Sequence, residues 1–163
     1  MAKDNKTAAD EAPATDTSAQ PGFAIEKLYV KDVSLEIPHA PQIFTDRTAP
    51  QVSVELGNAT QKLDDGIYEV AIKVTLTSKI ADKVVFLVEI TQAGIFGIRN
   101  VPDDNMEMIL AITCPNILFP YAREAVSDLV TRAGFAPVLL NPINFEALYM
   151  QQKEQAANAA KAN

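Results

Sequence analysis

The sequence has little of the chemistry from which enzyme active sites are built. It contains one histidine, His39, and one cysteine, Cys114, far apart in the chain, and only six glycines. A Cys/His nucleophile pair needs a third group to orient it, and no local motif supplies one. Metal-ligand spacings and a glycine-rich phosphate loop are also missing. We therefore expect a protein that is not an enzyme and that has neither a cofactor nor a metal of its own.

Basic clusters and long apolar runs are equally scarce. The formal net charge is −7, which disfavours nucleic-acid binding because phosphate contacts need a basic surface. No stretch of about 18 apolar residues could span a membrane, and the N-terminus lacks the apolar centre of a secretory signal. A single cysteine cannot form an intramolecular disulfide. We expect a cytoplasmic protein without membrane insertion.

The two ends of the chain differ from its middle. Residues 1–22 are rich in Ala, Asp, Thr and Ser, with almost nothing large to bury, and predict a disordered N-terminal arm. Residues 151–163 are polar and Ala-rich and predict a mobile tail, which either prolongs a helix or frays. Residues 23–150 then form one domain, and the 48% hydrophobic content of the chain is enough for a core.

Strand patterns dominate the first part of this domain. In LYVKDVSLEIP (28–38), strict alternation places Val30, Asp32, Ser34 and Glu36 on one face. Three more strands are predicted in VSVEL (52–56), GIYEVAIKVTLTS (66–78) and DKVVFLVEITQAGIF (82–96). Short polar linkers between these three favour antiparallel pairing. The proline-rich segment 38–50 is typical of an extended crossover rather than a hairpin.

Helical spacing begins after Pro102, in DDNMEMILAIT (103–113). A longer helix is expected from about Phe119, because Pro120 costs little only in a first turn. Its predicted apolar stripe is Leu118, Ala122, Ala125, Leu129 and Val130. A last helix is predicted to be capped by Asn141, with Pro142 first. Strands followed by helices predict an α+β fold, an antiparallel sheet covered on one face by helices.

Apolar residues exceed the needs of one small sheet. Val85 and Leu87 lie opposite the core-facing parity of the fourth strand, and ITCPNILFPY (112–121) is dense in large apolar groups. Such a surplus predicts a subunit interface, a binding groove, or both. Composition does not separate a groove for unfolded chains from a lipid or small-ligand site.

Three stretches resemble one known family. LYVKDVSLEIPHAPQIF (28–44), CPNILFPYAREAVSDLVTRAGF (114–135) and LNPINFEALYMQ (140–151) are similar, in order and separation, to signature stretches of the SecB family of bacterial protein-export chaperones. The resemblance covers about residues 23–152. It implies a cytosolic homotetramer, a dimer of dimers, whose subunit has a four-stranded antiparallel sheet with helices on one side. Such proteins keep unfolded precursors translocation-competent and deliver them to the SecA ATPase without hydrolysing nucleotide themselves.

The resemblance also implies a docking surface for SecA on the outer face of the sheet. By position in the motifs it corresponds to Asp32, Glu36, Leu87 and Glu89. The implied partner is a basic tail of SecA, which holds zinc itself. Some relatives end in acids that touch SecA, whereas Lys153 and Lys161 stand in this tail, so we expect no tail contribution. The alternative is a general holdase or ligand-binding oligomer of the same fold without SecA docking.

A groove for unfolded peptide is implied as well, lined by the crossover, the second strand and the last helix. The corresponding residues are Phe44, Val52, Val54, Leu56, Phe145 and Leu148. Flexible apolar contacts of this kind permit promiscuous binding. Relatives often carry an aromatic residue where this chain has Thr48, so the aromatic end of the groove is expected to be shallower.

Overall fold

The fold is given by a computed structural model that describes residues 20–161. Most of the predicted arm (residues 1–19) and the last two residues of the predicted tail lie outside this range. Four strands come first, namely β1 (Gly22–Glu36), β2 (Gln51–Asp64), β3 (Ile67–Ile80) and β4 (Lys83–Arg99). Helices α1 (Asp103–Met108), α2 (Cys114–Arg132) and α3 (Phe145–Lys161) follow. This order confirms the predicted α+β class.

The strands form one antiparallel sheet in the order β1-β4-β3-β2. Tight turns connect β2 to β3 and β3 to β4, and Gly66 in the first of them has a φ of 68°, which glycine adopts without strain. The segment 37–50 carries the chain from one edge of the sheet to the other and includes a short 3₁₀ turn at Gln42–Thr45. The predicted crossover is therefore confirmed, and β1 and β2 are the two edge strands.

In the described part of the chain, helices cover only one face of the sheet, which we call the inner face. Its centre is fully buried and comes from β3, β4 and α2, through Val70, Ile72, Val74, Leu76, Val88, Ile90, Leu118, Ala122, Val126 and Val130. In the predicted stripe of α2, Ala125 and Leu129 are only partly buried, whereas the buried Val126 was missed. No element within residues 20–161 covers the opposite, outer face of the sheet.

Strand β2 is longer than predicted. Its second half, GNATQKLD, lacks apolar alternation, yet its backbone stays paired with β3, with Ala59 opposite Ala71 and Lys62 opposite Tyr68. The strand predicted over 52–56 therefore continues to Asp64. Its length is set by the neighbouring strand and not by its own side chains.

Two bulges change the faces predicted from strict alternation. The register between β1 and β4 shifts between Val30 and Asp32, so Lys31 is an extra residue in β1. Val30 consequently lies on the inner face, and the prediction that it shares a face with Asp32 is wrong. A second shift makes Val85 the extra residue of β4. Val85 is buried and adds nothing to the apolar surface, contrary to expectation.

Helix α2 begins at Cys114, five residues before the predicted start, and Pro120 lies inside it. It follows directly on α1 and a π-helical turn, Ile109–Thr113, in which the N–H of Cys114 reaches back to the carbonyl of Ile109. Pro120 leaves the carbonyl of Asn116 without its helical donor. Both residues are exposed, so water can replace that hydrogen bond.

Helix α3 begins at Phe145 and is capped by Asn144, whose Oδ1 accepts a hydrogen bond of 3.0 Å from the N–H of Ala147. The predicted cap at Asn141 is wrong, since the helix begins only four residues later, at Phe145. The backbone after Gln151 continues the helix to Lys161. No helix within residues 20–161 is long and apolar enough to cross a membrane.

Candidate functional site

The four residues expected to dock SecA come together on the outer face of the sheet. Across the β1–β4 ladder, Glu36 is opposite Leu87 and Ser34 is opposite Glu89. Opposite residues of antiparallel strands point to the same face, and Asp32 is two positions further along that face. We call Asp32, Glu36, Leu87 and Glu89 the acidic patch. Its two β1 carboxylates are exposed, whereas Leu87 and Glu89 are partly buried.

Glu89 is held by two groups of β3 that sequence reasoning missed. Lys73 Nζ lies 3.0 Å from Glu89 Oε1, and the hydroxyl of Thr75 donates to the same oxygen at 3.2 Å. The hydrogen bond from Lys73 holds the pKa of Glu89 below its usual value. By contrast, Asp32 and Glu36 form no ion pair within residues 20–161. These two carboxylates are therefore the unneutralised charges of the patch.

A second polar group on the outer face also escaped sequence reasoning. Lys31 Nζ lies 2.8 Å from Glu69 Oε2, and the hydroxyl of Tyr29 donates to Glu69 Oε1. These bonds lower the pKa of Glu69, the one from Lys31 most, and the bond to Glu69 raises the pKa of Tyr29 to about 12. Glu69 is 40 and 38 residues from its partners, so no local pattern could have joined them.

Residues expected in the peptide groove line the inner face along β2. Val52, Val54 and Leu56 lie opposite Ser78, Leu76 and Val74, three buried residues of β3. Val52 and Val54 nevertheless remain 45% and 46% exposed. Because the helices do not cover this edge, β2 presents an open apolar strip.

One end of this strip leads into a cavity between β2 and α3. Leu56, Phe145 and Leu148 line it together with Tyr149, and its volume is about 260 Å³. Phe145 is 3% exposed and packs edge-on against Phe119 at 5.9 Å. It therefore forms the floor of the cavity and belongs equally to the core.

The other end of the strip is aromatic. The ring of Phe44 stacks on Phe135 at a centroid distance of 5.1 Å, and Phe135 contacts Phe86 at 4.9 Å. Phe86 and Val52 both pair with Ser78 of β3, from opposite sides. The six expected residues thus follow one line from the crossover along β2 to α3. We call them the apolar groove.

Neither His39 nor Cys114 belongs to these surfaces. His39 is exposed in the crossover, and burial raises the pKa of the Cys114 thiol to about 12, so it is protonated at neutral pH. No group of three or more His, Cys, Asp or Glu side chains in the described part of the chain could hold a metal ion.

Comparison with known proteins shows the family. A family model for SecB, described as preprotein translocase subunit SecB, matches residues 16–156. A protein-export protein SecB from Methylobacillus flagellatus is 69% identical over 149 residues, which cover 91% of this chain and 95% of the relative. Its counterpart from Chromobacterium violaceum is 59% identical over 143 residues, 88% and 95% of the two chains.

A solved structure supports the fold alone. A SecB-like chaperone from Mycobacterium tuberculosis, determined with a peptide from an antitoxin, aligns with a TM-score of 0.62 at 20% identity. The alignment covers 74% of this chain and 90% of that one.

The names of the relatives are those of an export chaperone and confirm the expectation that the chain is not an enzyme. This chain therefore belongs to the SecB family of protein-export chaperones.

Proposed function

We propose that this protein binds unfolded precursor proteins in the cytoplasm, keeps them translocation-competent and delivers them to the SecA ATPase. One observation carries the proposal: the apolar groove and the acidic patch lie on opposite faces of the same sheet. A client on the inner face and SecA on the outer face would not compete for the same surface. Delivery requires that both be bound at once, and this arrangement permits it.

Client binding is supported by the edge position of β2. Among the described strands, β2 pairs only with β3, so the backbone of its other side is free to pair with an extended chain. Those hydrogen bonds do not depend on the client's sequence, whereas Val52 and Val54 offer apolar contact. Both features favour unfolded segments over folded surfaces.

SecA docking is supported by charge and by an apolar contact. Asp32 and Glu36 project from an open sheet face, and Leu87 provides an apolar contact beside Glu36. A basic tail is complementary to this surface. Complementary charge raises the association rate of the two proteins and does not require slow dissociation. Any zinc belongs to SecA, not to this chain.

Assembly as a dimer of dimers is supported by apolar residues that the subunit leaves open. Inner-face side chains of β1 and one side chain of α2 are about half exposed, namely Phe23, Ile25, Val30, Val33 and Tyr121. Large exposed apolar side chains of this kind are typical of contacts between identical subunits.

Light scattering coupled to size exclusion tests the proposal. Alone, the protein should elute with the mass of four chains, and with a denatured precursor it should gain the mass of that client. Adding SecA should shift the complex again. Client capture without any SecA-dependent shift would favour the alternative, a general holdase of the same fold.

A further inference from the structure

Tyr29, Lys31 and Glu69 form what we call the clasp, which joins two strands that are not neighbours. Tyr29 and Lys31 belong to β1, Glu69 belongs to β3, and β4 runs between them. Tyr29 is opposite Ala93 of β4, whose small side chain leaves room for the clasp to cross. Lys31 Nζ and Glu69 Oε2 are 2.8 Å apart, and Glu69 is 9% exposed.

The clasp lies at the second of two register shifts in β1, the bulge between Val30 and Asp32. Tyr29 faces outward, and unbroken alternation from Tyr29 would turn Asp32, Ser34 and Glu36 inward, toward the helices. The extra residue at Lys31 reverses the alternation and puts these three on the outer face. The acidic patch therefore exists only in the bulged register.

We propose that Glu69 is a positioning residue for SecA docking: its carboxylate holds Tyr29 and Lys31 in the bulged conformation that keeps Asp32 and Glu36 on the outer face. The inference rests on the docking function proposed above. Glu69 itself lies too deep, and is too fully occupied by its two donors, to be a main contact for a partner.

Two features explain why β1 needs such a restraint. It is an edge strand, so its register is fixed from one side only, by β4. A one-residue slip would exchange its two faces at little cost in backbone pairing.

Hydrogen bonds to an ionised carboxylate are stronger than neutral ones, and Lys31 favours the ionised form of Glu69 by lowering its pKa. The clasp thus places a strong restraint at Lys31, the extra residue that sets the faces of Asp32 and Glu36.

Hydrogen exchange with and without SecA tests the proposal. In Glu69→Gln, the amides of residues 30–36 should exchange faster, and SecA affinity should fall about tenfold, while client capture and assembly remain. Tyr29→Phe, which removes one donor, should show a smaller change of the same kind.

Glu55→Gln is the control. Glu55 is an exposed acid on the outer face of β2, so the variant removes the same charge without touching the clasp and should change SecA affinity less than about twofold. Unchanged exchange at residues 30–36 in Glu69→Gln would overturn the proposal, whether or not SecA binds.

A double variant separates positioning from simple charge. Glu69→Gln also frees the Lys31 ammonium, which could repel a basic partner. In Lys31→Met/Glu69→Gln that ammonium is gone but the clasp is still broken, so SecA affinity should stay low. Recovery to the affinity of the unaltered protein would show that only charge matters and would overturn the positioning role. Failure of the docking function itself would appear separately, as SecA binding that charge reversal of Asp32 and Glu36 leaves unchanged.

Discussion

Lys73 and Glu89 form an ion pair on the outer face of the sheet, with 3.0 Å between Lys73 Nζ and Glu89 Oε1. The pair places a cation inside the surface that we propose for a basic partner. Glu89 is thus partly neutralised, whereas Asp32 and Glu36 are not. The patch is therefore not uniformly acidic. Because Lys73 belongs to β3, a substitution in β3 can change the charge of the patch.

We predict that Lys73→Met strengthens SecA binding about two- to fivefold at low salt, because Glu89 then offers its full charge to the partner. Titration calorimetry gives the affinity. Lys62→Met removes a lysine from an exposed pair with Asp65 at the β2–β3 turn, outside the patch, and should have little effect. Weaker binding by Lys73→Met would show that Lys73 orders Glu89 and does not compete for it.

The apolar groove is tested by a polar substitution in the open part of β2. Val54→Asn should lower the affinity for a denatured client by about threefold or more, because it removes apolar contact and adds an amide that needs hydrogen bonds. Leu63→Asn lies on the same strand beyond the groove and has nearly the same exposure, 47% against 46%. Equal losses in both variants, measured by fluorescence anisotropy of a labelled client, would contradict the assignment.

Two asparagines of the motif LNPINF, Asn141 and Asn144, differ in their contribution to the stability of α3, because only Asn144 caps the helix. Asn144→Ala should lower the free energy of unfolding by about 1 kcal/mol, because the N–H of Ala147 loses its acceptor, and Asn144→Asp should restore most of it. Asn141→Ala should change it by less than about 0.5 kcal/mol, as is usual for a surface position without a special contact. Urea denaturation at one protein concentration gives both values. The reverse order would place the cap at Asn141.

Much of the fold follows from local patterns. The alternation in β3 and the short linkers around it were enough for three antiparallel strands, and the prolines of 38–50 were enough for the crossover. Errors arose where the backbone departs from regular geometry. A bulge leaves no mark in the alternation of residues 28–38 or in an apolar run such as DKVVFLV (82–88), so the faces around Lys31 and Val85 were misassigned. The true start of α2 at Cys114 was missed because Pro120 was placed in the first turn, whereas it lies inside the helix.

The candidate site, like the fold, could be predicted only in part from the sequence. The positions of Asp32, Glu36, Leu87 and Glu89 came from resemblance, and alternation alone gave only shared faces within each strand. These residues come together because β1 pairs with β4. In the sequence, those two strands are separated by β2 and β3. Glu69 was missed because its partners are 38 and 40 residues away in sequence. Lys73 was missed because its contact with Glu89 depends on the register between β3 and β4, which the bulge at Val85 shifts.

Cys114 should be inert in the folded protein. Burial raises its pKa to about 12, so almost no thiolate is present at pH 8 and a disulfide reagent such as DTNB should not react until the chain unfolds. Since the folded pKa exceeds the unfolded value, the thiol stabilises the fold most below about pH 9. That contribution declines as the pH rises from there toward 12. Rapid labelling of the native protein at pH 8 would contradict this.

The most direct test of the whole account is SecA affinity of the double variant Asp32→Lys/Glu36→Lys, measured beside capture of a denatured precursor. The control Asp64→Lys/Asp65→Lys makes the same change in net charge at the β2–β3 turn. We predict that the first variant loses SecA binding by about a hundredfold and still captures the client, whereas the control retains both. Unchanged SecA affinity in Asp32→Lys/Glu36→Lys would contradict docking at the acidic patch.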